Sequence, residues 1–134
     1  ADWVLPVSSE PIEKGAVAFA DDKIAAVGKA DEVREKFPDA EVEDFGESAL
    51  TPGFVNCHSH LELSIMRGFL DDVEDNFFKW LIKIAVTRDE KLTLPDIEIS
   101  AILGAVEGAQ AGVTCFGDIG RYGRAGFEAL KKTG

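Results

Sequence analysis

Apolar and polar positions divide this chain into two stretches of different rhythm. In residues 1–50 the apolar runs are short. Trp3, Val4 and Leu5 predict a strand that ends at Pro6. Residues 15–20 and 23–28 flank Asp21 and Asp22, and Val17 and Phe19 alternate with small residues, the pattern of a β-hairpin with the acidic pair in its turn. Residues 31–37 predict one or two helical turns, stopped by Pro38, which disfavours helix at the residue before it. Residues 41–45 alternate acidic and apolar side chains and predict a strand with one wet face.

From Thr51 onward the period lengthens. Thr51, Pro52 and Gly53 make a turn, and residues 54–60 predict a strand. A loop with short helical turns follows over residues 61–75. Residues 77–86 form a helix that is apolar nearly all round, which predicts a core helix; a substrate lid or a partner-facing helix is the alternative. Residues 88–92 link it to a second helix, with Thr93 as N-cap, Pro95 in the first turn, and Asp96 and Glu98 near its positive end. Ile99, Ile102, Leu103 and Val106 supply its apolar stripe, and Gly112 suits the position just past its end. Val113, Thr114, Cys115 and Phe116 predict a short buried strand ending at Gly117 and Asp118. An amphipathic helix over residues 123–132 completes the chain. Helices separating short apolar strands predict βα units on a parallel sheet, an α/β fold.

Chemistry concentrates at the end of the first of these strands. His58 and His60 are the only histidines in the chain. On a strand, residues two apart share a face and lie roughly 6–7 Å apart at Cα, so both imidazoles can reach one cation. Imidazole is the commonest metal-ligating side chain, although pairs at this spacing also arise by chance. A catalytic zinc takes three protein ligands plus water, so the pair would be part of a site.

Composition narrows the classes. A net charge of −11 argues against nucleic acid as a partner, because phosphate binding needs clustered Lys and Arg. The acidic stretch over residues 31–47 and the cluster Asp71, Asp72, Glu74 and Asp75 lack EF-hand spacing and read as solvated surface. Cys57 and Cys115 make no disulfide framework; placed in buried strands, they read as reduced, small apolar residues. No signal peptide and no membrane-length apolar run is present, which makes the cytoplasm the expected compartment and a membrane an unexpected partner.

The segment P-G-F-V-N-C-H-S-H-L-E-L-S, residues 52–64, resembles the first-strand motif of the amidohydrolase superfamily, in its cytosine deaminase- and chlorohydrolase-like branch. The H-L-E-L-S continuation and the aromatic residues around Phe78, Lys79 and Trp80 lean towards aminofutalosine deaminase-like members. The resemblance implies that residues 1–50 are part of a small β-sandwich module and residues 51–134 the first two β/α units of a TIM-type (β/α)8 barrel, incomplete as given. It implies a divalent metal, zinc first and iron second, held by His58 and His60 together with later histidines and an aspartate that lie outside residues 1–134. Glu62 is the candidate catalytic carboxylate, with a purely structural role as its rival. Trp80, Asp118 and Arg121 are candidates for the pocket mouth. The implied reaction is hydrolysis of a C–N or C–Cl bond, most simply deamination of an aminated heterocycle or nucleoside-like small molecule by metal-activated water. The 134-residue chain alone would then be inactive, needing the rest of the barrel, a complementary chain or a symmetric copy in a homo-oligomer. Two other readings stay open: a non-catalytic metal-binding or assembly module, and another His-x-His metallohydrolase such as a phosphoesterase.

Overall fold

The computed structural model describes residues 1–73 and 75–134, and the acidic cluster's Glu74 lies outside the described residues. The chain forms two compact units, Ala1–Pro52 and Gly53–Gly134.

In the first unit, β1 (Trp3–Val4) is the centre of a small sheet. It pairs antiparallel with β2 (Ile12–Glu13) and parallel with β5 (Ala49–Leu50). The expected hairpin forms from β3 (Gly15–Ala20) and β4 (Lys23–Lys29), with Asp21 at φ 55° in the turn and a bulge between Ala18 and Phe19. Aspartate tolerates this left-handed conformation better than most residues, which suits the acidic pair to the turn. Val4, 3 % exposed, packs over Gly15, where a Cβ would stand 2.6 Å from its Cγ2. Helix α1 (Ala30–Lys36) buries Val33 and ends at Phe37, ahead of Pro38. The expected strand over residues 41–45 is absent: this segment is irregular, with Val42 and Phe45 exposed. Alternation alone does not make a strand, which needs a ladder partner, and β1 takes its parallel partner a few residues later, at Ala49 and Leu50.

The second unit contains the expected parallel pair, β6 (Phe54–Ser59) and β7 (Val113–Asp118). Between them run a 3-10 helix over Leu61–Met66, a single 3-10 turn over Asp71–Val73, α2 (Phe77–Lys91) and α3 (Leu94–Gln110); α4 (Gly123–Thr133) follows β7. Thr93 caps α3 in a capping box with Asp96, and Gly112, at φ 83°, supplies the left-handed residue that ends it. Helix α2 is longer than expected, because residues 88–91 continue it; no Gly or Pro interrupts them, and Arg88 and Lys91 complement its negative end.

Three expectations about burial fail in this unit. Helix α2 is not a core helix: Ile84 is buried, while Phe77, Phe78, Leu81, Ile82 and Val86 are exposed. On α3, the buried face carries Ile97, Ser100, Ala101 and Ala105, whereas Ile99, Leu103 and Val106 face outward. The small face wins because it allows close approach. A Cβ on Gly104 would overlap the Ser64 hydroxyl and stand 3.1 Å from Leu61 Cδ2, and one on Gly108 would run into the Phe116 ring. The resulting core joins Leu61, Ala101, Ala105 and Ala129, with Ile102, Phe116 and Leu130 against it. Cys57 and Cys115 are exposed rather than buried, since the two-stranded sheet is covered on only part of its surface by the described residues.

Candidate metal centre

Strand β6 ends at Ser59, one residue earlier than the pattern predicts, so His58 is the last but one strand residue and His60 lies just beyond. His60 turns the chain (φ −130°, ψ 73°) into the 3-10 helix, yet its ring stays beside that of His58. The two ring centroids are 5.3 Å apart, with planes inclined at 68°.

The backbone on either side of His60 is tied to the end of β7. Asp118 Oδ1 accepts the Ser59 hydroxyl at 3.2 Å and the Leu61 N–H at 3.0 Å, and the Ile119 N–H bonds the Ser59 carbonyl at 2.9 Å. Below the turn, the buried Ser100 hydroxyl accepts from the Ile65 N–H (2.9 Å) and donates to the Glu62 carbonyl (2.8 Å). Ser100 is absent from the residues singled out from sequence. Its signal was available: it sits between Ile97 and the small residues Ala101, Gly104, Ala105 and Gly108, at helical spacing on the face that packs.

Glu62 is 1 % exposed. Its Oε1 accepts the Arg121 backbone N–H at 3.0 Å and lies 3.9 Å from His60 Nδ1. Arg121 thus meets Glu62 through its backbone; its guanidinium bonds Asp89 at 2.8 Å on the exterior. A hydrogen bond from Arg88, aided by the charge of Arg121, holds the Asp89 carboxyl below its ordinary range.

A cleft of about 380 Å³ opens beside His60, with Leu63, Met66, Leu70, Trp80 and Ile84 among its apolar walls and Arg67 at its edge. Arg67 is held by a two-pronged pair to Glu107 on α3, at 2.8 and 2.6 Å, which pulls the Glu107 carboxyl below its usual value. Trp80 lines this cleft, and its ring stacks on Phe77 at 6.0 Å. Asp118 and Arg121 are not among its lining residues; their side chains are engaged with Ser59 and Leu61, and with Asp89. Among the described residues no three His, Cys, Asp or Glu side chains form a metal-holding cluster.

Residues 15–40 match a family model described as the imidazolonepropionase-like composite domain of bacteria. A 5-methylthioadenosine/S-adenosylhomocysteine deaminase of Nitratidesulfovibrio vulgaris (Hildenborough) is 34 % identical over 92 % of this chain and 27 % of its own length. The aminofutalosine deaminase of Helicobacter pylori, solved with methylthio-coformycin, superposes with a TM-score of 0.71 at 25 % identity, over 98 % of this chain and 31 % of that one. An adenosine deaminase of Xanthomonas campestris with bound zinc shares the fold, with a TM-score of 0.75 at 20 % identity over 98 % of this chain and 30 % of that one. The chain thus spans between a quarter and a third of the length of these proteins. The matches run through both units and through the strand that carries His58 and His60, and over that length the chain is similar to deaminases of the amidohydrolase superfamily.

Proposed function

We propose that this chain is part of a cytoplasmic, metal-dependent deaminase, the opening of its (β/α)8 barrel, and that His58 and His60 are two of its metal ligands. The observation that carries this reading is the pairing of the two imidazoles at the C-terminal end of a parallel strand, beside an apolar cleft. Barrel enzymes keep their chemistry at that end of the strands. The spacing fits a shared cation. Ring centroids 5.3 Å apart are close enough for both imidazoles to reach one cation. Zinc, which imidazole ligands suit, is the metal proposed, with iron second, and the remaining ligands would come from the rest of the protein or from another chain.

A bound metal would supply a water acidic enough to act as a nucleophile near neutral pH. The residues of this chain would do the holding. Asp118 fixes the backbone around His60, and the cleft walls of Leu63, Met66 and Trp80 exclude water from an apolar or aromatic part of the substrate. In the reaction, water oxygen replaces a ring amino group and ammonia leaves. The similarity to 5-methylthioadenosine/S-adenosylhomocysteine and aminofutalosine deaminases favours an aminated purine nucleoside as substrate, over a phosphoester.

The test is ammonia release by the full-length protein from 5′-methylthioadenosine, S-adenosylhomocysteine and adenosine, together with zinc content by elemental analysis. Activity and zinc should both vanish when His58 and His60 are replaced by Ala. Undiminished zinc in that variant, or phosphatase turnover without ammonia release, removes the proposal.

A further inference from the structure

Glu62 is a buried carboxylate in a site built around it. Gly120 makes the space, since a Cβ there would stand 2.6 Å from Glu62 Cδ, and the Arg121 N–H and the Ser100 hydroxyl fix its side chain and its carbonyl. Even so, Oε2 has no hydrogen-bond partner among the described residues. A buried carboxylate met by a single N–H is under-satisfied and costs stability, so its retention calls for a reason. Oε1 keeps a second lone pair beside the one that takes the Arg121 N–H, and the neighbouring donor is the His60 ring, with Nδ1 3.9 Å away. That is too long for a direct hydrogen bond, but the His60 side chain is 40 % exposed, and a small ring rotation closes the gap. No carboxylate is paired with His58 among the described residues.

We propose that Glu62 is a positioning residue, which accepts the Nδ1–H of His60 and so fixes the tautomer that leaves Nε2 free. Metal-binding imidazoles commonly give their second N–H to a carboxylate, which orients the ring and raises its basicity. The inference rests on His60 being a ligand, as proposed above, but the tautomer exists without any metal. Through the same oxygen Glu62 joins the turn after β7 to the ring of His60, so one carboxylate couples both strand ends.

The test uses the two histidine rings of the 15N-labelled chain, the only ones it has, followed by long-range proton–nitrogen correlation at about pH 8, where imidazole is neutral. His60 should be the Nδ1–H tautomer. E62Q, whose amide oxygen still accepts, should keep it, while E62A should move His60 towards Nε2–H and leave His58 unchanged. Zinc titrated against the full-length protein should bind E62A about 10–100-fold more weakly. A His60 that is Nε2–H in the unaltered chain, or an E62A that changes neither tautomer nor zinc binding, overturns the proposal. Should E62A not fold, the unaltered chain and E62Q decide. The metal reading stands or falls on the zinc content of the full-length protein, as described above, while the tautomer judges Glu62.

Discussion

Ser59 and Asp118 are joined by a 3.2 Å hydrogen bond across the ends of the two parallel strands, and the same Asp118 oxygen also takes the N–H of Leu61 at 3.0 Å. One carboxylate therefore grips the residues on both sides of His60. His60 itself lies outside the strand ladder, so this grip does what pairing no longer does at that position. As the metal ligand proposed above, His60 would need such a fixture, because small displacements of a ligand cost affinity out of proportion to their size.

Asp118→Ala should accordingly lower stability by about 1.5–3 kcal/mol, the range for hydrogen bonds to a charged group. Asp118→Asn keeps an acceptor oxygen and should cost less. Urea unfolding midpoints of the two variants check this; a D118A midpoint equal to that of the unaltered chain would show that Asp118 grips nothing of consequence.

The cap of α3 carries a pH dependence with a definite sign. The Thr93 hydroxyl, and then its backbone N–H, hold the Asp96 carboxyl below its ordinary value. A depressed folded value means a stabilising contribution that is fully present above the unfolded pKa, about 3.9, and lost as the pH falls through the lower folded value. Thermal unfolding should therefore show α3 weakening below about pH 4, and Asp96→Asn should flatten that slope. At neutral pH, Thr93→Ala should cost about 0.5–2 kcal/mol. An identical acid slope in D96N would exclude the capping box as its source.

Gly108→Ala sets two effects against each other. Helix propensity favours Ala over Gly by about 1 kcal/mol. Against this, the added methyl would overlap Phe116 Cζ and stand 2.7 Å from Cε1, and overpacking typically costs about 1–3 kcal/mol. The steric cost should prevail, giving a net loss, and pairing with Phe116→Leu should recover part of it. A G108A chain more stable than the original would mean that α3 stands further from β7 than the geometry indicates.

What the sequence showed and hid follows from how local each feature is. The hairpin turn at Asp21 and Asp22, the Thr93 cap and the Gly112 stop depend on a few neighbouring residues, and each is where the pattern predicts. The closeness of His58 and His60 was legible in their spacing of two, although His60 lies one residue past the strand and its neighbours are held by Asp118. The segment over residues 41–45 has a good strand pattern without a partner, and pairing is not written in the segment itself. The burial of α3 misled for a related reason: Ile99, Leu103 and Val106 mark where apolar surface is, while Ala101, Gly104 and Ala105 mark where a neighbour fits. The grip of Asp118 on Ser59 and Leu61, some 57 to 59 residues away in sequence, has no local signature beyond the end of a strand.

The exposed apolar surface of the second unit yields the last prediction. Along α2, Phe78 is 73 % exposed and Ile82 63 %, and on α3 Ile99 is 62 % exposed. Scattered exposed apolar residues need no explanation, but runs on consecutive helices mark surfaces that are covered in the working protein. The parallel pair of β6 and β7 adds strand edges without partners among the described residues, and such edges recruit other chains. The 134-residue chain on its own should therefore associate, through a symmetric copy of itself or a complementary chain, and should be inactive. Sedimentation of the purified chain should show species heavier than the 14.5 kDa monomer, and Phe78→Glu with Ile82→Lys should shift them towards monomer, because a charge buried without a partner opposes association. A compact, stable monomer that releases ammonia from a nucleoside would overturn both parts, showing that this surface needs no cover and that two histidines suffice.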